Sequence, residues 1–228
     1  YALIDLPSDI PAHYSRPGYE IKAVPLFAFT LYSDKEQDER LLVETAALQL
    51  DTDALQSHQA AKTYVQNLIK QFHSGKWTRH IDDLCPAVTG RSSYLNEAGN
   101  PEQIETCPLD PEHRISDEDW IQLMRMTQTY EWLGDGILAK LTVGYSDDIR
   151  GITYSIDLEF NSFEIMKRRR ASNLARDLAH GDAQGWNSTV SERNGISALR
   201  SRIKVLEENA QQRGDTVLSR LRKIITAT

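Results

Sequence analysis

Two short stretches alternate apolar and polar residues without a break, and they constrain this chain more than any other feature. Ile137, Ala139, Leu141, Val143 and Tyr145 share one face of an extended segment. Ile152, Tyr154, Ile156, Leu158 and Phe160 share one face of the next, and Thr153, Ser155, Asp157 and Glu159 take its other face. Successive side chains on a strand point to opposite sides, so period two means one face toward a core and one toward water. Strands over 137–145 and 152–160, joined by a turn at 146–151, therefore predict an antiparallel hairpin with one wet side.

A second hairpin is expected nearer the start. Residues 20–31 hold Ile21, Val24, Phe27, Phe29 and Leu31. Pro25 lacks an N–H to donate, which favours a sheet edge or a strand end. Residues 40–50, with Leu41, Leu42, Val43, Ala46, Leu48 and Leu50, read as its partner across a charged turn at 33–39. Residues 1–19, punctuated by Pro7, Pro11 and Pro17, read as an irregular lead-in.

Helices are marked by caps and by a different period. Ser57 precedes Ala60, Ala61, Tyr64, Val65, Leu68, Ile69 and Phe72, a stripe at helical spacing that Gly75 ends. Ser116 opens a second helix, read over 116–133. Its hydroxyl can accept from early backbone N–H groups, and Asp117, Glu118 and Asp119 suit the positive end of the dipole. Trp120, Leu123, Met124, Thr127 and Tyr130 form its inner stripe, and Gly134-Asp135-Gly136 is read as its stop. Residues 76–114 read mostly as loop, with a short helical turn at 79–84.

The fold expected is α+β. An antiparallel sheet of two hairpins is covered on one face by helices 57–73 and 116–133. This body, residues 1–160, carries 13 Lys/Arg against 26 Asp/Glu, whereas residues 161–228 carry 13 against 7. A reversal of sign within one chain marks a boundary or a docking surface. The basic region reads as two helices, 163–180 and 190–225. On the first, Ala171, Leu174, Ala175, Leu178 and Ala179 make a stripe ended by Gly181, and Lys167, Arg168, Arg169, Arg170 and Arg176 lie opposite. On the second, Ile196, Leu199, Ile203 and Leu206 recur three and four apart. The pattern breaks at Gly214, where Asp215 is read as capping the next helical turn, and resumes with Leu218, Leu221 and Ile225. Such a narrow stripe resembles a two-helix seam. The two helices either pack back on the body or project as an arm that can dimerise through Leu199, Ile203 and Leu206.

Cys85 and Cys107 flank a turn-rich stretch with no apolar periodicity. A bridge between them would hold a loop that has little core of its own and would imply an oxidising compartment. The alternative is two free thiols in a cytosolic protein. No run of about 18 apolar residues is present, so no segment is expected to span a membrane. The chain begins at Tyr1 rather than Met, which reads as a trimmed or processed form.

Reactive side chains are densest in the 73–107 loop: His73, His80, Asp82, Asp83, Cys85, Arg91, Ser92 and Ser93. Two chemistries suit such groups, a Cys85–His80 nucleophile pair and a metal site on His73 and His80. Neither has diagnostic spacing, so no catalytic residue, metal or cofactor is assigned. Thr89-Gly90-Arg91-Ser92-Ser93 lacks the phosphate-loop arrangement. Asp147 and Asp148 read as a hairpin turn, and the 117–119 carboxylates as a helix start. Lys167, Arg168, Arg169 and Arg170 could neutralise phosphates, but the pI of about 5.4 and the acidic body argue against nucleic acid. The functional expectation is a non-enzymatic protein-binding module of the bacterial cell envelope, such as a toxin-neutralising immunity protein or an accessory or assembly subunit. Its partner is another protein, of basic character. The competing expectations are an enzyme using the 73–107 loop and an anionic-surface binder using the basic helix. The compartment expected is periplasmic or otherwise extracytoplasmic, with cytoplasmic as the alternative.

Overall fold

The structure is a computed structural model, and it describes residues 11–23, 26–33, 43–102, 107–149 and 151–219. The architecture is α+β with antiparallel sheets. β1 (Ala12–Tyr14) and β2 (Ile21–Ala23) form a small hairpin. β3 (Leu26–Tyr32), β4 (Thr45–Leu50), β5 (Thr78–Arg79), β6 (Gln128–Gly134), β7 (Ile137–Asp148) and β8 (Gly151–Ser162) form a six-stranded sheet in the order β3-β4-β8-β7-β6-β5. The helices are α1 (His58–Ser74), α2 (Asp117–Met124), α3 (Phe163–Ala183) and α4 (Ser188–Gln212).

The expected hairpins are present. β7 and β8 pair from Ile137↔Ser162 to Asp148↔Gly151, a longer ladder and a tighter turn than the alternation alone marked. β3 pairs with β4, and β4 with β8, which makes one sheet of the two hairpins. The expected strand over 20–31 is divided. Ile21–Ala23 pairs with Ala12–Tyr14, and Leu26–Tyr32 belongs to the large sheet. Val24, Pro25, Leu41 and Leu42 lie outside the described residues, as does the charged turn beyond Ser33. The lead-in is less irregular than expected, because β1 lies within it.

α1 forms where the cap and stripe place it. Ser57 Oγ accepts from Ala60 N at 3.2 Å, and Gly75 N donates to Phe72 O at 3.2 Å. Ala61, Val65, Leu68, Ile69 and Phe72 are buried against the inner sheet face. Fully burying each large member contributes roughly 1.5–3 kcal/mol. Phe72 stacks on Trp132 with ring centroids 3.9 Å apart, and Tyr14 of β1 stacks on Phe160 at 4.0 Å.

The helix expected over 116–133 is half as long, and this is the main correction to the fold. Ser116 caps α2 by accepting from Asp119 N at 3.1 Å, but the helix ends at Met124. The buried Gln128 amide donates to Leu123 O at 3.1 Å and Met126 O at 3.0 Å, taking up carbonyls the helix leaves open. From Gln128 burial alternates, so Thr127 and Tyr130 belong to no helical stripe. Asp135 and Gly136 both have positive φ, 49° and 73°, and connect Gly134 to its partner Ile137 as a two-residue hairpin turn. The 76–114 segment holds β5 and a 3-10 helix at Gly90–Tyr94, and the turn expected at 79–84 is a single one at its end, closed by Cys85 N donating to Asp82 O at 3.0 Å.

Candidate functional site

The 73–107 loop does not gather its reactive groups into one place. Arg79 pairs in register with Trp132, whose ring faces α1, so Arg79 points to the inner side. There it meets Asp110 at 3.2 Å, and burial lowers its pKa. His80 lies on the outer side, with Nδ1 3.0 Å from Glu131 Oε2 and its ring edge-on to Phe163. His73, at the end of α1, pairs instead with Glu112 at 3.1 Å. The two histidines of the metal reading therefore serve opposite sides of the sheet. Among the described residues, no group of three or more His, Cys, Asp or Glu side chains is placed to hold a metal ion.

Cys85 is bonded to Cys107, with Cα atoms 5.4 Å apart, which satisfies the expected bridge and removes the thiolate a nucleophile reading needs. Asp83 is exposed, and Asp82 Oδ1 accepts from Leu84 N at 3.0 Å. Ser92 and Ser93 are buried in the 3-10 helix. Three distant carboxylates order that helix. Asp110 Oδ2 accepts from Gly90 N at 2.7 Å, and Asp215 Oδ2 accepts from Ser92 N at 3.0 Å. Asp119 accepts both Arg91 guanidinium bonds, at 2.8 and 3.0 Å, and a third from the Tyr94 hydroxyl at 2.9 Å. Arg91 foremost holds the Asp119 carboxyl below the usual carboxylate range, and burial pushes Tyr94 upward. The Arg91, Ser92 and Ser93 cluster is thus a structural joint. Asp215 caps this element, not a helix after Gly214, which corrects its expected role.

The basic region is partly returned to the acidic body. Arg169 pairs with Glu44, whose side chain is 2% exposed, and lies over the Tyr32 ring at 5.0 Å. Arg170 reaches Asp82 at 3.5 Å. Lys167 pairs within its own helix with Glu164 at 3.8 Å, and Arg168 is exposed. Across a cavity of about 350 Å³, His80, Glu131, Lys140 and the disulfide face Met166 and Arg170 of α3 and Leu199 of α4.

α4 runs back to the body at its C-terminal half. Ile203, Leu206 and Ala210 are buried, and Leu206 packs on the two bridged cysteines. Glu207 Oε1 accepts from Ala87 N at 3.0 Å, and Arg202 reaches Glu97 at 3.3 Å. Past Gly214 the chain pairs with the loop, Thr89 N donating to Thr216 O at 2.9 Å and Val88 bridging Val217. Leu218 thus lies outside any described helix, and Leu221 and Ile225 lie outside the described residues. A homodimer through Ile203 and Leu206 would have to displace packing within this chain.

The remaining halves of α3 and α4 form an antiparallel pair. Across 174–198, no hydrogen bond or ion pair joins the described residues to the body, and Gly181 is the buried position there. α3 does not stop at the expected Gly181. It continues to Ala183, and Gly185, at φ 81°, lies just beyond. A serine caught by the distal turn explains the buried glycine, since an added Cβ would lie 2.9 Å from Ser188 Cβ. Trp186 is 67% exposed at this tip and Val190 52%, and Leu174, midway along α3, is 44% exposed. The sequence places Trp186 in a connecting loop, and its signal is a large aromatic in an otherwise polar turn. No described helix is long and apolar enough to cross a membrane.

Comparison with protein-family models, with curated proteins and with solved structures found no match to this chain.

Proposed function

We propose that the chain is a non-enzymatic protein-binding module of the bacterial cell envelope, either a toxin-neutralising immunity protein or an accessory or assembly subunit, and that the two-helix arm meets the partner. The observation that carries this reading is the arm tip. Trp186 stands exposed in the connection between the helices and Val190 in the first turn of α4, and along 174–198 no bond joins the described residues to the body. Tryptophan and arginine are the residues that most often anchor protein interfaces, and Arg193 and Arg200 lie on the same arm, Arg193 exposed. The disulfide fits an oxidising compartment. The acidic body would speed encounter with a partner of basic character.

The test is affinity purification of wild-type chain and a Trp186→Ala/Val190→Asp variant from the native host at physiological salt. One protein retained stoichiometrically by wild type and lost by a variant of unchanged melting temperature supports the reading. Retention of nothing, or retention indifferent to the arm substitutions, overturns it.

A further inference from the structure

We infer that the cleft between α1 and the 110–115 loop binds a small amphipathic oxyanion, a carboxylate or phosphate monoester carried on an apolar body. The cleft encloses about 400 Å³, within the range of small-molecule pockets. It lies over the inner face of the sheet, away from the arm. Its walls are apolar: Val65 and Ile69 come from α1, Ile115 from the loop and Trp120 from α2.

Its polar groups include one hydroxyl at depth and an excess of cations at the rim. Tyr130 lines the cleft, is 2% exposed, and makes no hydrogen bond among the described residues. Its hydroxyl is not sealed from solvent, so it can donate into the cleft. Trp120, its neighbour in the lining, already has a partner in Tyr154 at 2.9 Å. Burial holds the Tyr130 phenol protonated, so it offers a donor. Cations outnumber carboxylates at the rim, where Lys62, Lys70 and Arg114 stand against Glu112. Lys62 is matched by Asp117 and His73 by Glu112. Lys70 and Arg114 also line the cleft; Lys70 Nζ donates to Asn67 Oδ1 at 3.4 Å, and Lys62 foremost, with Arg114 contributing, lowers the pKa of Asp117. An oxyanion accepts from Tyr130 and takes countercharge from Lys70 and Arg114, while its apolar body replaces water against Val65, Ile69, Ile115 and Trp120. A neutral ligand of the same shape would gain nothing from this excess of positive charge.

The test is a titration of the full chain by ligand-observed NMR with three probes: 4-(trifluoromethyl)benzoate, phenyl phosphate, and neutral 4-(trifluoromethyl)benzamide. Saturable binding of one or both anions, about tenfold tighter than the amide, is expected, since a hydrogen bond to a charged group is worth roughly that factor or more. Which anion binds tighter distinguishes carboxylate from phosphate. Tyr130→Phe keeps the ring and removes the donor, and should weaken anion binding by about tenfold while leaving the amide unchanged. Arg114→Gln, on an exposed position, gives the same comparison if Tyr130→Phe does not fold. Failure of both anions to saturate below about 10 mM, an affinity weaker than roughly 3 kcal/mol, overturns the inference. So does equal binding of anion and amide, or anion binding unaffected by both substitutions.

Discussion

Breaking the Cys85 to Cys107 bridge should destabilise the chain in a way that spreads into α4. The two cysteines are 22 residues apart in sequence. Denying that closure to the unfolded state gives about 3 kcal/mol in the chain-entropy model. For a chain of this size each kcal/mol shifts the melting temperature by about 2–4 °C, so reduction should lower it by roughly 6–12 °C. A second, local effect arises from packing, because Leu206 sits on the two cysteines and Ile203 beside it is 4% exposed. Reduction frees the loop that forms this seat. Amides around 203–212 should then exchange faster than those of α1, whose core contacts do not involve the loop. The assay is thermal unfolding by near-ultraviolet circular dichroism with and without reductant, then hydrogen exchange on both forms. Cys85→Ala/Cys107→Ala should reproduce the reduced protein. The global and local effects are separated by Leu206→Ala, which costs about 2–5 kcal/mol through its cavity while leaving the bridge intact. A melting shift under about 2 °C on verified reduction would mean the loop is held by its other bonds and would refute the entropy argument. Unchanged exchange in α4 would refute the packing argument alone.

Two further outcomes rest on single contacts. Gly134→Ala would put a Cβ 2.5 Å from Tyr19 Cε1 and 2.8 Å from Trp77 Cε3, between two rings held by the core. The expected loss is about 1–3 kcal/mol in urea unfolding, and an unchanged midpoint would show that the β1–β2 hairpin can move aside. Asp119 has its folded pKa depressed, with Arg91 as the first cause. Its contribution is therefore complete above the unfolded carboxylate pKa of about 3.9 and is lost as pH falls through the lower folded value. Arg91→Gln should flatten the acid limb of stability, measured as urea midpoints from neutral pH to below the carboxylate range. The Arg91 side chain is 52% exposed, so the difference should be about 1 kcal/mol or less.

Elements that leave a periodic trace were legible in the sequence. α1 carries a cap, a stripe and a terminal glycine in agreement, and it forms within a residue of the expected bounds. β7 and β8 alternate cleanly because each has one face on the core. α2 and β6 show two periods competing over the same letters. Trp120, Leu123, Met124, Thr127 and Tyr130 suit a helix, yet Gln128, Tyr130 and Trp132 alternate just as well. Asp135-Gly136, between alternating residues, was the signal that decides for a hairpin. A polar joint leaves no such trace. Arg91 finds Asp119 across 28 positions, and Asp215 finds the Ser92 amide across 123. Nothing in the local pattern of either partner records the pairing. The apolar stripe of α4 was visible, but a stripe states that something covers it and not what. Here the body covers Ile203 and Leu206, and the same stripe runs on past that cover toward the tip.

The charge reversal between body and C-terminal region divides in the same manner. Cations near the root of the arm are taken by the chain's own acids, Arg169 by Glu44, Arg170 by Asp82 and Arg202 by Glu97. The Glu44 carboxylate is almost wholly enclosed, and removing one partner of such a pair is strongly destabilising because it strands a buried charge. These contacts explain why two helices with little core of their own stay fixed where they leave the sheet. Toward the tip no such use is made of apolar surface. Arg193 stands exposed on α4, and Trp186 and Val190 stand beside the turn. Trp186 helps close the turn, its amide donating to Gly181 O at 3.0 Å and its ring edge-on to His180, yet it remains 67% exposed. Under the proposed reading that exposed ring meets the partner. On that proposal the root ion pairs would act as the fixed end of a lever, and the acidic body would favour a partner of basic character.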